Sequence, residues 1–224
     1  MSVIARISAL LALLFLSSTS FAGIVFSNNI DGTNPNTSNP FTDGQFTIAG
    51  ITASGIGRGP GITGSNANNR YTAVSWGTAT FDSTAYFTFT LTPDAGRTLS
   101  LTSFTYTGQA SGSGPTSFAL RSSLSAFNTN IGSPTATGVG ISLTDAAYQN
   151  LNSAVEFRLY GWNATAGTGT FSVNDFSFSG DVSSVPEPNS MMLAAIMLAM
   201  RNAFVRRFRR ARCRSKQCRS AVLN

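Results

Sequence analysis

The sequence predicts an all-β fold, a single antiparallel β-sandwich of jelly-roll-like character over residues 23–184. Three observations lead there. Thr, Ser, Gly, Asn and Phe dominate this block, and few runs in it could sustain a helix. Short segments of alternating apolar and polar residues recur between clusters of turn-forming residues, the pattern of a sandwich or barrel. The block is also one domain long, enough to bury roughly two-thirds of the surface its unfolded chain exposes without covalent staples. An N-terminal signal-peptide helix is expected before it, and a C-terminal apolar helix with a basic tail after it.

In chain order, Ile24 to Asn29 is the first expected strand. Asp31-Gly32 and Asp43-Gly44 are turn dipeptides, with Pro35 and Pro40 between them. Phe46 to Ser54 alternates weakly, and 55–70, rich in Gly and Asn, reads as a long loop. Tyr86 to Thr92 is the clearest strand. Phe87, Phe89 and Leu91 share one face and Thr88, Thr90 and Thr92 the other. Pro93-Asp94-Ala95-Gly96 then makes a turn. Leu99 and Leu101 stand in odd register, Phe104 and Tyr106 in even register. That switch predicts a bulge or a break near Thr102-Ser103.

Residues 108–115 read as a loop ending in Pro115, and Phe118 and Leu120 mark a further strand. Asp145 to Leu151 is the one plausible helical turn, with Thr144 as its N-cap. Val155, Phe157 and Leu159 alternate with Glu156, Arg158 and Tyr160. After the loop 163–169, Phe171 and Val173 give way to Phe176 and Phe178, a second parity switch near Asn174-Asp175. These two segments are expected to form a hairpin. Gly180-Asp181 closes the domain, and Ser183 to Asn189 is a linker.

The net charge of +6 belongs to the tail. Nine of the fifteen basic residues lie in 201–224, whereas 23–184 carries five Arg against seven Asp and one Glu, a formal charge of −3. A nucleic-acid-binding domain carries its basic patch on the fold, so a nucleic-acid partner is not expected. Cys213 and Cys218, the only cysteines, also lie in the tail, which leaves the domain without disulfides or thiolate metal sites.

Residues 1–22 have the order of a secretory signal peptide: Arg6, an apolar run from Ile7 to Leu16, then Ser20-Phe21-Ala22 with small residues at −3 and −1. Cleavage is expected after Ala22. At the other end, Val185-Pro186-Glu187-Pro188 precedes the ten uncharged residues Met191 to Met200. An Arg-dense tail follows. The expected division is a motif at 185–188, an apolar helix over about 190–205 and a tail over 206–224.

Proline motif, apolar segment and basic end together resemble the PEP-CTERM sorting signal of exported bacterial proteins. The resemblance implies export across the inner membrane, transient membrane anchoring and recognition by an exosortase-type processing enzyme. It also implies residence at the cell surface or outside the cell, in company with exopolysaccharide and biofilm systems. It makes Pro186, Glu187 and Pro188 the sorting residues. A Pro-x-Pro element is stiff and extended, hence open to such an enzyme. Arginines after an apolar segment stay in the cytoplasm by the positive-inside rule. The segment departs from the pattern at Arg201, since a span needs about 20 largely apolar residues. An Arg at a segment centre costs about 2.5–3.5 kcal/mol. Val155 to Asn163 with Gly169 to Phe176 also looks like the C-terminal hairpin of jelly-roll modules.

The chain has no His, which excludes a Ser-His-Asp triad and His-ligated zinc. Glu156 is the domain's only Glu, and its place two residues from Arg158 on one strand face reads as an ion pair. No metal site and no cofactor is implied, and the role expected is structural or adhesive rather than enzymatic. The alternative is a carbohydrate-binding module. Sugar sites on β-sandwiches use exposed rings beside polar groups, and Trp162, Tyr160 and Trp76 are the candidates. The competing reading has these rings pack beneath a loop or a second sheet.

Overall fold

The computed structural model describes residues 22–185 together with Leu198, Met200 and Arg201. The chain divides into two units, 1–184 and 185–224. In the second unit Leu198, Met200 and Arg201 are helical and exposed. The expected signal-peptide helix, the Pro186-Glu187-Pro188 motif and the Arg-rich tail lie outside the described residues. Among the described residues no helix is long and apolar enough to cross a membrane.

The strands of the first unit are, in order, β1 (Gly23–Asn28), β2 (Phe46–Thr47), β3 (Ile51–Arg58), β4 (Thr63–Gly64), β5 (Tyr71–Val74), β6 (Tyr86–Pro93), β7 (Arg97–Ala110), β8 (Ser117–Ser122), β9 (Gly138–Ser142), β10 (Val155–Trp162) and β11 (Phe171–Ser184). They form two antiparallel sheets. The larger is built around β11. Along one of its edges β5 and β1 lie end to end, and along the other runs β7. β4, β2 and β9 extend β5, β1 and β7 respectively. The smaller sheet has the order β3-β6-β10-β8.

The apolar faces of the two sheets meet. Phe87, Phe89, Phe157 and Leu159 of the smaller sheet are fully buried, as are Phe104, Phe171 and Phe178 of the larger. Rings cross the gap: Phe89 lies 4.8 Å from Phe176 and 5.2 Å from Phe104, and Phe157 lies 5.2 Å from Phe178. The alternation that marked Tyr86 to Thr92 is thus the alternation between core and solvent.

Both parity switches are β-bulges. Thr102 is the extra residue of β7 between the pairs Ser103–Ser179 and Leu101–Gly180. Asn174 is the extra residue of β11 between the pairs Val173–Gly108 and Asp175–Thr107. An unpaired residue on one strand resets which positions face inward, so Leu99, Leu101, Phe104 and Tyr106 all reach the core. Neither strand breaks.

Several expectations are corrected. The segments 155–162 and 171–178 are not a hairpin, because β10 pairs with β6 and β8 while β11 lies in the other sheet. Their apolar faces look at each other across the core, which alternation alone does not distinguish from pairing. The stretch 55–70 is not all loop, for β3 runs to Arg58 and β4 lies within it. A bulge disguises β3: Gly55, at φ +83°, sits where a Cβ would come 2.3 Å from the Phe41 carbonyl oxygen. β7 runs on to Ala110, and β11 passes Gly180-Asp181 to end at Ser184. The helical turn is a short 3-10 segment, Ala146–Tyr148. Its N-cap position is Asp145 rather than Thr144, with no side-chain cap bond.

Two core tyrosines make the fold sensitive to alkali. The Tyr106 hydroxyl donates to the Thr135 carbonyl (2.5 Å) and accepts from the Thr135 N–H (2.9 Å). Burial pushes Tyr106 and Tyr71 each up to about 12, with Arg58 opposing the rise at Tyr71 and the Thr135 bond opposing it at Tyr106. Unfolded phenols ionise near 10. Above that pH the unfolded chain gives up protons that the fold retains, so stability from these groups holds below about pH 10 and falls toward pH 12. The urea midpoint is expected to drop between pH 9.5 and 12, and to drop less in Tyr106→Phe; a flat midpoint over that range would contradict it.

Candidate functional site

The outer face of the smaller sheet brings together the Glu156–Arg158 ion pair and the ring contacts of Arg121 and Arg158. In β10 the inward positions are Val155, Phe157 and Leu159, which leaves Glu156, Arg158, Tyr160 and Trp162 facing outward. Register then fixes their neighbours. Arg158 pairs with Thr88 of β6 on one side and Arg121 of β8 on the other; Tyr160 pairs with Tyr86 and Ala119. Residues directly opposite in adjacent strands share a face, with Cβ atoms about 4.5–5.5 Å apart.

Glu156 holds Arg158 through a 2.6 Å ion pair, and the Thr88 hydroxyl donates to the same carboxylate oxygen (3.0 Å). Burial works against the Arg158 charge, but the bonds to Glu156 and Tyr160, together with the charges of Glu156 and Tyr86, outweigh it and raise the guanidinium pKa above its usual value. The Arg158 guanidinium lies 3.8 Å from the Phe127 ring centre and 4.3 Å from that of Tyr86. Arg121 lies over Phe81 at 4.3 Å and over Tyr160 at 5.7 Å. Its Nε donates to Asn130 Oδ1 (2.8 Å) and its Nη1 to the Phe127 carbonyl (3.0 Å). Stacking and hydrogen bonding together fix both guanidiniums in place.

Phe127 reaches this position at a cost. It has φ +59° and follows Ala126 at φ +50°, two successive left-handed residues with side chains. For a bulky residue that conformation is strained, and such strain gathers at functional sites. Here it turns the Phe127 ring onto Arg158 and its carbonyl onto Arg121.

The three candidate rings part company. Trp76 is fully buried, packed on Phe87 and Phe171 with its indole N–H donating to the Ala73 carbonyl (2.9 Å). It offers no face to a ligand. Tyr160 has outward parity, yet Phe81, 5.0 Å away, and Tyr86, 5.3 Å away, leave it 2% exposed. Trp162 is half-buried, edge-on to Phe81 at 5.5 Å. So of Trp162, Tyr160 and Trp76 only Trp162 stays accessible, which corrects the expected platform.

Sequence reading missed Phe81, Tyr86, Arg121 and Phe127. Outward parity marks Tyr86 and Arg121, but their meeting with Arg158 depends on strand register. Phe81 and Phe127 lie between strands, where no periodicity points to them.

Ala22 is exposed and directly precedes β1; Pro186, Glu187 and Pro188 are not among the described residues. Among the described residues no group of three or more His, Cys, Asp or Glu is placed to hold a metal ion. A cavity of about 500 Å³ opens at Ala110, Gly112, Pro115, Phe118 and Pro134, and its lining includes no charged side chain. Comparison with protein-family models, with curated proteins and with solved structures finds no significant match.

Proposed function

We propose that this chain is an exported bacterial protein of the cell surface or extracellular matrix. Its role is structural or adhesive and non-enzymatic, and a C-terminal PEP-CTERM-like signal sorts it. The observation that carries the reading is the order of Pro186-Glu187-Pro188, the apolar segment and the Arg-rich end after a self-contained β unit. The limits of that unit support it: β1 starts at Gly23, one residue past Ala22, and β11 ends at Ser184. The strand path supports a jelly-roll-like sandwich, because from β5 to β11 each strand lies in the sheet opposite its predecessor. An exosortase-type enzyme and the membrane are the partners of the signal.

A second reading, a carbohydrate-binding module acting on exopolysaccharide, draws on the outer face of the smaller sheet. There Trp162, Tyr86 and Phe127 stand half-buried beside fixed polar groups.

Cell fractionation with mass spectrometry of the mature termini tests the main reading. The expected product begins at Gly23, lacks residues beyond about Pro188 and is found outside the cytoplasm. A cytoplasmic chain with residues 1–22 attached overturns export, and an external chain with its Arg-rich end intact overturns sorting by cleavage.

A further inference from the structure

The face that carries Trp162 has one property that a neutral sugar does not call for. At the outward positions of β3, β6, β10 and β8 there are two guanidiniums, Arg121 and Arg158, and one carboxylate, Glu156. The two arginines are direct cross-strand partners. Like charges so placed repel and are destabilising. The fold keeps them together by ring stacking on both and by a carboxylate on Arg158. Arg121 is held by a side-chain amide and a backbone carbonyl, which fix its direction but leave its charge standing.

From this we infer that the outer face of the smaller sheet binds a carboxylated polysaccharide, a chain of uronic-acid units. Arg121 and Arg158 take the sugar carboxylate, and the half-exposed ring of Trp162 takes the apolar face of a neighbouring unit. This rests on the second reading above and names its substrate class. A guanidinium presents a planar fork that matches a carboxylate at two points. Rings beside it supply the apolar contact that carbohydrate C–H faces require. The strained Phe127 backbone serves the same end, because its carbonyl aims Arg121 and its ring backs Arg158. A nucleic acid is the poorer fit. Phosphate-backbone binding rests on many neutralised phosphates, whereas the unit 23–184 carries a formal −3 and this face a single excess positive charge.

Affinity electrophoresis of the purified whole protein in gels containing polygalacturonate, neutral dextran or single-stranded DNA tests the inference. The expected result is retardation by polygalacturonate alone. Arg121→Gln should weaken it about tenfold, in line with one lost charged hydrogen-bond pair, and Arg121→Lys should restore it in part. Circular dichroism should show both variants folded. Were Arg121→Gln to unfold, Trp162→Ala supplies the second variant, with the same loss expected. Equal retardation by dextran overturns the role of the carboxylate and leaves the carbohydrate reading standing. Equal retardation by DNA makes the face a general polyanion site and overturns the inference. No retardation in any gel overturns both the inference and the carbohydrate reading.

Discussion

Replacing Arg58 by alanine is expected to cost about 3 kcal/mol of stability or more, because it strands several backbone carbonyls at about 1–3 kcal/mol for each one left buried and unsatisfied. Arg58 is 8% exposed and, among the described residues, its side chain bonds to no carboxylate. Backbone carbonyls solvate its guanidinium instead. Nε and Nη2 donate to the Thr72 carbonyl (3.1 and 2.9 Å), Nη1 to the Asn36 and Ser38 carbonyls (3.2 and 3.0 Å), and Nη2 also to Pro35 (3.3 Å). Tyr71 lies beneath it, with the guanidinium 3.7 Å from the ring centre. Burial lowers the Arg58 pKa from its usual value, yet guanidinium is so weak an acid that the group stays charged at neutral pH.

One side chain thereby ties β3 to β5 and to the loop at 35–38. Alanine removes every one of these bonds and strands carbonyl groups that water reaches poorly, at about 1–3 kcal/mol for a fully buried one. Lysine keeps the charge but not the fork, so Arg58→Lys should recover only part of the loss. Chemical denaturation measures both, and hydrogen exchange should show residues 35–41 opening first in the alanine variant. An alanine variant within about 0.5 kcal/mol of wild type, the range of an ordinary surface substitution, would refute this account.

Arg58 also shows where sequence reading stops. Its neighbours Gly55, Gly57 and Gly59 made the stretch resemble a loop, and a lone Arg there reads as solvent-facing. What buries it is the β3 bulge, which moves the inward positions from Ile51 and Ala53 to Ile56 and Arg58. The bulges in β7 and β11 were visible because large residues flank them, and a parity change among Leu99, Leu101, Phe104 and Tyr106 leaves a mark. In β3 the two residues set against the single Thr90 are Ser54 and Gly55, neither of them large, so no mark is left.

A different limit governs the outer face. Alternation identifies which side of a strand is apolar, and that is enough to put Phe87 and Phe89 on one face of their strand and Phe157 with Val155 and Leu159 on one face of theirs. It does not identify which strand lies beside which. By alternation alone β10 and β11 form a hairpin, whereas they face each other across the core, and nothing in alternation joins Arg121 to Arg158, 37 positions apart in the chain and adjacent in the sheet. Tyr160 has the parity of an exposed residue and is buried by Phe81, a ring supplied by the connection before β6. Each of these facts is a property of register or of a loop's path, and both are fixed only when the sheets assemble.

Phe178→Ala is expected to be the most damaging change in the core, at about 3–5 kcal/mol. Phe178 is fully buried at the centre of β11 and touches rings from both sheets: Phe104 at 4.5 Å, Phe157 at 5.2 Å, Phe89 at 5.7 Å and Phe26 at 6.0 Å. Truncation removes all four ring contacts at once, and the cavity cannot easily close. β11 is clamped along one edge by β1 and along the other by β7, so the backbone has no freedom to move inward. Phe46, half exposed at 50% on the two-residue strand β2, is the control, and Phe46→Ala should stay within about 0.5 kcal/mol of wild type. In a chain of this size each kcal/mol moves the thermal midpoint by about 2–4 °C, so calorimetry separates the two variants clearly. Equal losses would mean that packing between the sheets is not what holds this domain together. Phe178→Leu refines the test: it keeps much of the apolar volume, and if filling the gap is what matters it should lose far less than alanine.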